Sequence, residues 1–302
     1  MTLTGATMTF DIAFIGHYTR DTIIYPYATR TVDGGGYYFG AAVAAQMGLG
    51  VAVITRLAAE DWGAVAKLEQ LGVTMLAHST PHSTVLRLIY PTANLDQRTI
   101  ELSSWAGPFE VADVADVSAR AYAIAASSVR GEISPEVVEA LAARGAHIAL
   151  DVQGFVRVLR DGVLGHDAWP GKEAVLRHVT ILKTDAFEAE LLTGEADRAT
   201  AACRLSAYGP REVLVTNSAG VLLCHDGEIT EAPFVPRELR GRSGRGDTCA
   251  GAYLARRLTA APRESLFWAA AVTSLKLETA GPFCRDMAEV EALYRQLAGV
   301  TV

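Results

Sequence analysis

Apolar runs of strand length alternate along this chain with segments of helical periodicity. Such alternation is typical of a mostly parallel sheet that helices cover on both faces, so the sequence predicts an α/β fold. The predicted core strands are residues 11–15, 51–55, 121–125, 147–151, 180–183 and 213–216. The predicted helices are residues 41–49, 59–71, 134–144, 186–192, 197–208 and 250–258.

Two regions interrupt the alternation. Residues 22–33 and 84–101 are rich in Thr, Ile, Tyr and Val, with turn residues between them, which is typical of short antiparallel strands. The sequence contains no internal repeat, low-complexity block or Pro-rich linker. We therefore expect one domain over residues 1–302, with the two regions forming an excursion from it.

Composition excludes several function classes. A net charge of −7 and a pI near 5.5 leave no basic stripe to neutralise nucleic-acid phosphates. No apolar run is long enough for a membrane helix, and residues 1–8 lack the basic start and apolar region of a signal peptide, so we expect them to be a lead-in. The four cysteines have no metal-ligand spacing and predict reduced thiols in a cytoplasmic protein.

A glycine-rich turn runs directly into a helix at residues 241–251 (GRSGRGDTCAG). Gly244 and Gly246 free the backbone to turn its N–H groups toward one point, which makes an anion nest at the positive end of the helix. A carboxylate at Asp247 would repel a phosphate there unless it takes a proton from a hydroxyl that attacks the phosphate. The segment alone leaves open that Asp247 is an ordinary helix N-cap.

A second glycine cluster lies near the N-terminus, at residues 33–40 (DGGGYYFG), behind the segment 16–21 (GHYTRD). Glycines at this place let the backbone approach a small polar ligand closely. The two clusters, in this order, resemble the ribokinase-like (PfkB) carbohydrate kinases, which usually read Gly-Ala-Gly-Asp at residues 244–247. The resemblance extends from about Phe10 onward.

The resemblance implies a three-layer α/β/α fold with a small β-sheet lid, drawn from about residues 22–33 and 84–101, that often also forms a homodimer contact. It implies a kinase that transfers the γ-phosphoryl group of ATP to a hydroxyl of a small molecule. In that reaction Asp247 is the catalytic base, and Gly244, Arg245 and Gly246 form the nest. The implied acceptor-binding residues are Asp21, Gly35 and Gly36. Asp33, directly before the glycine cluster, and Asp151 and Arg157, at and after a strand end, are further acceptor-binding candidates from their positions in the sequence.

The segment 182–194 resembles the family's Asn-x-x-Glu motif, which organises Mg²⁺ around the donor phosphates. Asp185 and Glu188 occupy the two motif positions and, three residues apart at a helix start, lie on one face. Two acidic side chains suit the water-rich shell of Mg²⁺. The alternative is a solvated acidic first turn that answers the helix dipole.

The resemblance also implies an ATP site. The segment 213–221 resembles a strand and turn that usually read Thr-x-Gly-x-x-Gly, but Ser218 stands where glycine is usual. The implied ATP contacts are Lys183, Thr216, Ser218, Gly220, Gly244 and Gly246.

Two departures from the family pattern concern charge. Many of these kinases read Asp-Thr-Thr before the nest, where the Asp helps to hold an activating K⁺, whereas residues 241–243 here are Gly-Arg-Ser. The chain therefore lacks that carboxylate, and Arg242 or Arg245 is the expected source of positive charge. Arg157 follows a strand end at Asp151 and is either a substrate or phosphate contact or a solvated surface residue.

The acceptor is the least constrained feature. Two carboxylates, Asp21 and Asp33, suit a neutral hydroxyl-rich ring better than a sugar phosphate. The glycine motifs, residues 151–154 and residues 274–276 resemble the myo-inositol kinase branch. Ribose, fructose, sugar acids and nucleosides stay open as acceptors. A non-catalytic sugar-binding protein is the rival interpretation, and intact Asp247 counts against it.

Overall fold

The computed structural model describes residues 8–92 and 97–299. The strands are β1 (Met8–Ile15), β2 (Thr19–Tyr25), β3 (Ala28–Gly34), β4 (Val51–Leu57), β5 (Thr74–Ser79), β6 (Thr84–Ile89), β7 (Thr99–Ser104), β8 (Val117–Ile124), β9 (His147–Asp151), β10 (Arg157–Arg160), β11 (Val163–His166), β12 (Ile181–Asp185), β13 (Glu212–Thr216), β14 (Gly220–His225) and β15 (Glu228–Pro233). The α-helices are α1 (Gly36–Gln46), α2 (Ala66–Glu69), α3 (Pro135–Ala142), α4 (Gln153–Val156), α5 (Lys172–Leu176), α6 (Ala186–Thr193), α7 (Arg198–Ser206), α8 (Arg245–Arg257), α9 (Pro262–Leu277) and α10 (Met287–Ala298). Residues 1–7 of the expected lead-in and residues 93–96 of the second expected lid region lie outside the described residues.

Nine strands form the large sheet, in the order β15-β14-β13-β12-β9-β8-β1-β4-β5. Each pairing from β13 through to β5 is parallel, and only the pairings β13–β14 and β14–β15 at one edge are antiparallel. This confirms the predicted mostly parallel sheet, and all six predicted core strands lie in it.

Helices cover both faces of this sheet. Along β1, Ile12 and Phe14 belong to a core that includes α1, α8 and α9, while Ala13 and Ile15 belong to a core on the other face that includes α3, α6 and α7. Side chains alternate between faces with period two, so a strand that is apolar at every position serves both cores. The result is the predicted three-layer architecture.

A small sheet of six strands stands apart from the large one, in the order β10-β11-β7-β6-β2-β3. Both predicted lid regions contribute to it, through β2, β3, β6 and β7. The pairing of β2 with β6 is parallel, contrary to the expectation of antiparallel strands throughout. The sequence analysis also missed β10 and β11, because four-residue strands are too short to show a period.

Two helices begin earlier than predicted. The α1 helix begins at Gly36 rather than at residue 41, and α8 begins at Arg245 rather than at residue 250. Gly35 and Gly244 precede them with φ angles of 125° and 75°, conformations that side chains disfavour. Both glycine motifs therefore lie at helix N-termini. The predicted helix over residues 59–71 is a 3₁₀ turn followed by the short α2.

The two glycine-led helices cross in close contact. A Cβ atom at Gly251 of α8 would lie 2.4 Å from the Cα of Gly40 in α1, so the backbones meet without side chains between them. This crossing sets α1 and α8 side by side on one face of the sheet. Within the described residues, no helix is both long and apolar enough to cross a membrane.

Candidate active site

The order of the parallel strands reverses at β1. From β1 the chain proceeds to β4 on one side, whereas β8 pairs with the other side of β1. Open α/β sheets bind ligands at the carboxyl ends of strands beside such a switch point. Gly16 and Gly36 press against Ala125 after β8, since a Cβ atom on them would lie 2.6 and 2.3 Å from its carbonyl oxygen. A cleft at this place is lined by residues that include Gly36, Asp151, Lys183 and Asp247.

Asp247 occupies the first turn of α8 and is partly buried. Burial raises the pKa of its carboxyl to about 6, and the nearby Asp151 adds to this, whereas Lys183 lowers it. A carboxylate with that pKa is ionised at neutral pH and accepts a proton more readily than an exposed aspartate. Asp247 can therefore act as a general base.

Lys183 links Asp151 to the anion nest. Its ammonium lies 2.8 Å from Asp151 Oδ2, and both side chains are nearly buried. Burial opposes the charge on Lys183, but the carboxylates of Asp151, Glu188 and Asp247 outweigh burial and raise its pKa above the ordinary lysine value. A Cβ atom at Gly246 would lie 2.9 Å from Lys183 Nζ, so glycine at this position makes room for the ammonium. The nest thus gains a fixed positive charge.

Asp185 and Glu188 form a reciprocal capping box at the start of α6. The amide of Glu188 donates to Asp185 Oδ1 (2.8 Å), and the amide of Asp185 donates to Glu188 Oε2 (2.9 Å). Glu188 is only 2% exposed, so the solvated alternative is wrong for it. Burial raises its pKa to about 7, while Lys183 lowers it. The pair is therefore a structural cap whose Glu188 carboxylate lies in the field of the Lys183 ammonium.

These two carboxylates can contribute to a Mg²⁺ shell but cannot complete one. The capping box uses one oxygen of each carboxylate. Among the described residues, no group of three or more His, Cys, Asp or Glu side chains is arranged to hold a metal ion. Mg²⁺ commonly takes one or two carboxylates and fills its shell with water and substrate phosphates, so the residues fit that mode of binding.

The expected ATP turn splits into two parts. Thr216, at the end of β13, is buried and lies close to Gly246. Ser218 is exposed at the tip of the turn between β13 and β14, and its neighbours Ala219 and Gly220 donate their amides to the Asn217 side chain, each at 2.9 Å. A Cβ atom at Gly220 would lie 2.4 Å from the carbonyl oxygen of Ala232, so this glycine serves the β14–β15 hairpin.

Asp21 and Arg157 both lie on strands of the small sheet, β2 and β10, and interact electrostatically. Burial raises the pKa of the Asp21 carboxyl to about 6, opposed by the Thr19 side chain and the positive charges of Arg157 and Arg98. Arg157 is 7% exposed, so the solvated alternative is wrong for it, and its guanidinium donates to the Ser127 carbonyl. Asp21 Oδ1 and Arg157 Nε are both buried without a hydrogen-bond partner. Such groups need a partner of complementary chemistry.

Asp33 stands apart from that pair. Its carboxylate accepts from the Tyr18 hydroxyl at 2.9 Å and from Lys67 Nζ at 2.6 Å. Burial opposes the charge on Asp33, but these two hydrogen bonds lower the pKa of its carboxyl. Of the two carboxylates expected to bind the acceptor, Asp33 is thus engaged by Tyr18 and Lys67, whereas Asp21 has one oxygen, Oδ1, without a hydrogen-bond partner.

Two residues of the site were missed by the sequence analysis. Glu132 is fully buried and accepts from the amides of His17 (2.8 Å) and Ser128 (2.8 Å), so it ties together the loops that follow β1 and β8. Lys276 is fully buried at the end of α9, where it donates to carbonyls of the loop before the nest. A charged residue that ends a long apolar helix was the available signal for Lys276.

The model of the pfkB family carbohydrate kinases matches residues 7–283. The chain belongs to this family. Its members are kinases, so this pfkB protein is a phosphotransferase with a hydroxyl acceptor, as the resemblance implied. The family assignment fits the convergence of Asp247, the nest and Lys183 at the carboxyl edge of the sheet.

Similar solved structures include two that are described as a pyrophosphate-dependent kinase of the ribokinase family. A sulfate complex is 32% identical with a TM-score of 0.86, and a complex with a pyrophosphate analogue and myo-inositol is 31% identical with a TM-score of 0.85. Each comparison covers 93% of this pfkB chain and 99% of the other. A cytidine kinase of Thermococcus kodakarensis is 26% identical over 258 residues, or 81% of this chain and 87% of that protein.

Proposed function

We propose that this protein transfers a phosphoryl group from pyrophosphate to one hydroxyl of a neutral cyclic polyol, with myo-inositol as the preferred acceptor. The observation that carries the proposal is a base with a raised pKa, Asp247, at a cationic nest and within the electrostatic influence of Arg157, together with two buried polar atoms that lack a partner, Asp21 Oδ1 and Arg157 Nε. The similarity to kinases described with pyrophosphate and myo-inositol supports both substrates.

The choice of acceptor rests on two buried atoms, one in Asp21 and one in Arg157, that lack a hydrogen-bond partner. Asp21 Oδ1 needs a hydrogen-bond donor, and Arg157 Nε needs an acceptor. A hydroxyl group provides both, and a ring that carries several hydroxyls can satisfy the two groups at once. A phosphate group could accept from Arg157 but has nothing to donate to an ionised Asp21, so a sugar phosphate fits less well.

The choice of donor rests on the positive charges near Asp247 and on the engaged amides of the turn after β13. The positive charges of Lys183, Arg157 and Lys276 act on Asp247, which suits the dense negative charge of pyrophosphate. The amides of Ala219 and Gly220 are already bonded to Asn217 and are not available to a nucleotide. ATP, the donor expected from the sequence, is the second candidate. Mg²⁺ at Asp185 and Glu188 would suit ATP as well as pyrophosphate, so this pair does not discriminate between the two donors.

In the proposed reaction Asp247 takes the proton of the acceptor hydroxyl as its oxygen attacks the near phosphorus atom of pyrophosphate. The bond from that phosphorus to the bridging oxygen breaks, and inorganic phosphate leaves. The N-terminal amides of α8 and the Lys183 ammonium hold the charge that spreads over the phosphoryl oxygens. Asp185 and Glu188 would hold Mg²⁺, which, when bound, would neutralise negative charge on the donor phosphates.

We further propose that the chain acts as one kinase domain in which the small sheet covers the acceptor as a lid. Leu86, which is paired with Asp21 across β2 and β6, belongs with Leu164 to a small apolar cluster that would cover the acceptor. Tyr27 is 79% exposed and stacks on Tyr25, which in turn stacks on Tyr90. A homodimer through this aromatic edge of the lid stays a prediction.

Steady-state kinetics with a matrix of donors and acceptors test the proposal. The donors are pyrophosphate and ATP, and the acceptors are myo-inositol, ribose, cytidine and fructose 6-phosphate. We expect kcat/KM for myo-inositol with pyrophosphate to exceed that of every other pair by at least about tenfold, or about 1.4 kcal/mol in transition-state binding. Higher kcat/KM for cytidine or for fructose 6-phosphate would overturn the acceptor assignment, and higher kcat/KM with ATP would overturn the donor assignment.

A further inference from the structure

Lys276 is a buried cation bound to the backbone of the loop that precedes the nest. It lies in the last turn of α9 and is fully buried. Its ammonium donates to the carbonyl oxygen of Gly241 at 2.8 Å and to that of Ser243. The face of the Phe39 ring lies 5.0 Å from Nζ and forms a third side of this cation site.

The charge of Lys276 is not neutralised by an adjacent carboxylate. Over residues 8–92 and 97–299, no Asp or Glu lies within salt-bridge distance of its Nζ. Burial lowers its pKa to about 8; the negative charge of Asp247 opposes this, and the positive charge of Arg245 adds to it. A buried unpaired charge is unfavourable unless oxygen ligands and dipoles compensate. The carbonyl end of α9 and the two loop carbonyls provide that compensation.

The loop has no room for a carboxylate at its first position. A Cβ atom at Gly241 would lie only 1.8 Å from the carbonyl oxygen of Thr279, so any side chain there would displace the backbone. The amides of Arg240 and Gly241 both donate to the carbonyl of Leu277, at 2.9 and 3.0 Å. The loop is therefore attached to the end of α9 by its amides and by its carbonyls.

Phe39 connects this attachment to the nest itself. A Cβ atom at Gly244 would lie 2.2 Å from the Phe39 ring, so the ring packs directly on the residue that precedes α8. The same ring faces the Lys276 ammonium. A movement of Lys276 would therefore displace Gly244, both through the loop carbonyls that it binds and through the Phe39 ring.

We propose that the Lys276 ammonium is a built-in cation that fixes the loop 241–244 and thereby holds the nest in its donor-binding shape without an added monovalent cation. Backbone carbonyl oxygens are also the ligands by which proteins bind K⁺, so the loop carbonyls of Gly241 and Ser243 are suitable partners for the ammonium. Lys276 is a positioning residue, because its contacts are to the loop and not to a reacting atom. The inference rests on the proposed function in one respect, that the nest binds the phosphate donor.

The first test compares Lys276→Met and Lys276→Ala with the wild type and with Lys172→Met, which removes an ammonium from α5. We expect kcat/KM for the donor to fall about 10- to 100-fold in both Lys276 variants, since a misplacement of about 1 Å costs up to about 10²-fold. Methylammonium should restore at least about a tenth of the lost rate in Lys276→Ala. Replacement of K⁺ by tetramethylammonium should leave the wild type and Lys172→Met unchanged.

The second test measures how well the amides of this loop are protected from hydrogen exchange, and it does not depend on catalysis. Hydrogen exchange at residues 240–246, followed by mass spectrometry, should be at least about tenfold faster in Lys276→Met than in the wild type, while exchange in β12 and β13 stays the same. Unchanged exchange in this loop, or activation of the wild type by K⁺, would overturn the proposal. If the wild type turns over neither pyrophosphate nor ATP, the proposed function fails, and hydrogen exchange still decides the role of Lys276.

Discussion

Replacement of Asp247 by asparagine should slow the reaction and stabilise the fold at the same time. Asparagine keeps the shape of the side chain but removes its charge and its ability to accept a proton. Loss of a general base costs about 10²–10⁴ in kcat, or about 3–5 kcal/mol in the activation barrier. Affinity for the donor should change little, because the nest is built from backbone and from Lys183.

The gain in stability follows from the raised pKa of Asp247. The pKa of its carboxyl rises from 3.8 to about 6 on folding, because the folded state buries the charge. The folded state therefore holds the proton more tightly than the unfolded state, and stability falls as pH rises from about 4 through about 6. The difference corresponds to about 3 kcal/mol at neutral pH. The asparagine amide still has to be desolvated at this position, so we expect a net gain of about 1–2 kcal/mol in the free energy of unfolding.

Initial rates and urea unfolding at pH 7.5 measure the two effects in the same preparations. Asp286→Asn is the matched control, because Asp286 also begins a helix, α10, and asparagine caps helices as well as aspartate does. The control should change neither quantity. Turnover of Asp247→Asn within about threefold of the wild type would refute the base assignment. A rate loss accompanied by an equal loss of stability would show damage to the fold instead.

Three further predictions concern the metal, the pH dependence and the acceptor. Glu188→Gln should raise the Mg²⁺ concentration that gives half-maximal rate at least about threefold, whereas the control Glu190→Gln, on the exposed face of α6, should not. If the Mg²⁺ titrations of Glu188→Gln and the wild type coincide, Glu188 serves only as a helix cap. The wild-type rate should rise with pH through about 6, as Asp247 loses its proton, and fall above about 8, as Lys276 loses its proton. The fall above pH 8 should therefore be absent from Lys276→Met. Asp21→Asn should raise KM for myo-inositol about tenfold and leave KM for the donor unchanged, and an unchanged acceptor KM would remove Asp21 from the site.

The fold was predictable where local pattern and tertiary structure agree. The strands β1, β4, β8 and β9 each contain an apolar run whose side chains are buried on both faces of the sheet, and Gly244 and Gly246 indicated a ligand-binding turn before a helix. The same glycines indicated the base, since Asp247 follows them directly.

The remaining features depend on contacts between distant segments. Asp33 is adjacent to the glycine cluster in sequence, yet Lys67 of α2 engages it from 34 residues away. Lys276 reaches Gly241 across 35 residues, and Gly241 must lack a side chain because Thr279 occupies the space. Neither pairing leaves a local periodicity, so neither could be predicted from the sequence alone.

A single ³¹P NMR experiment tests the central claim most directly. Wild-type protein is supplied with Mg²⁺, myo-inositol and equal concentrations of pyrophosphate and ATP, and the phosphorus resonances are followed with time. We predict that pyrophosphate disappears while a phosphate monoester of inositol and inorganic phosphate appear in equal amounts, with the ATP resonances unchanged. Formation of ADP with pyrophosphate intact, or the absence of any inositol phosphate, would contradict the proposed function.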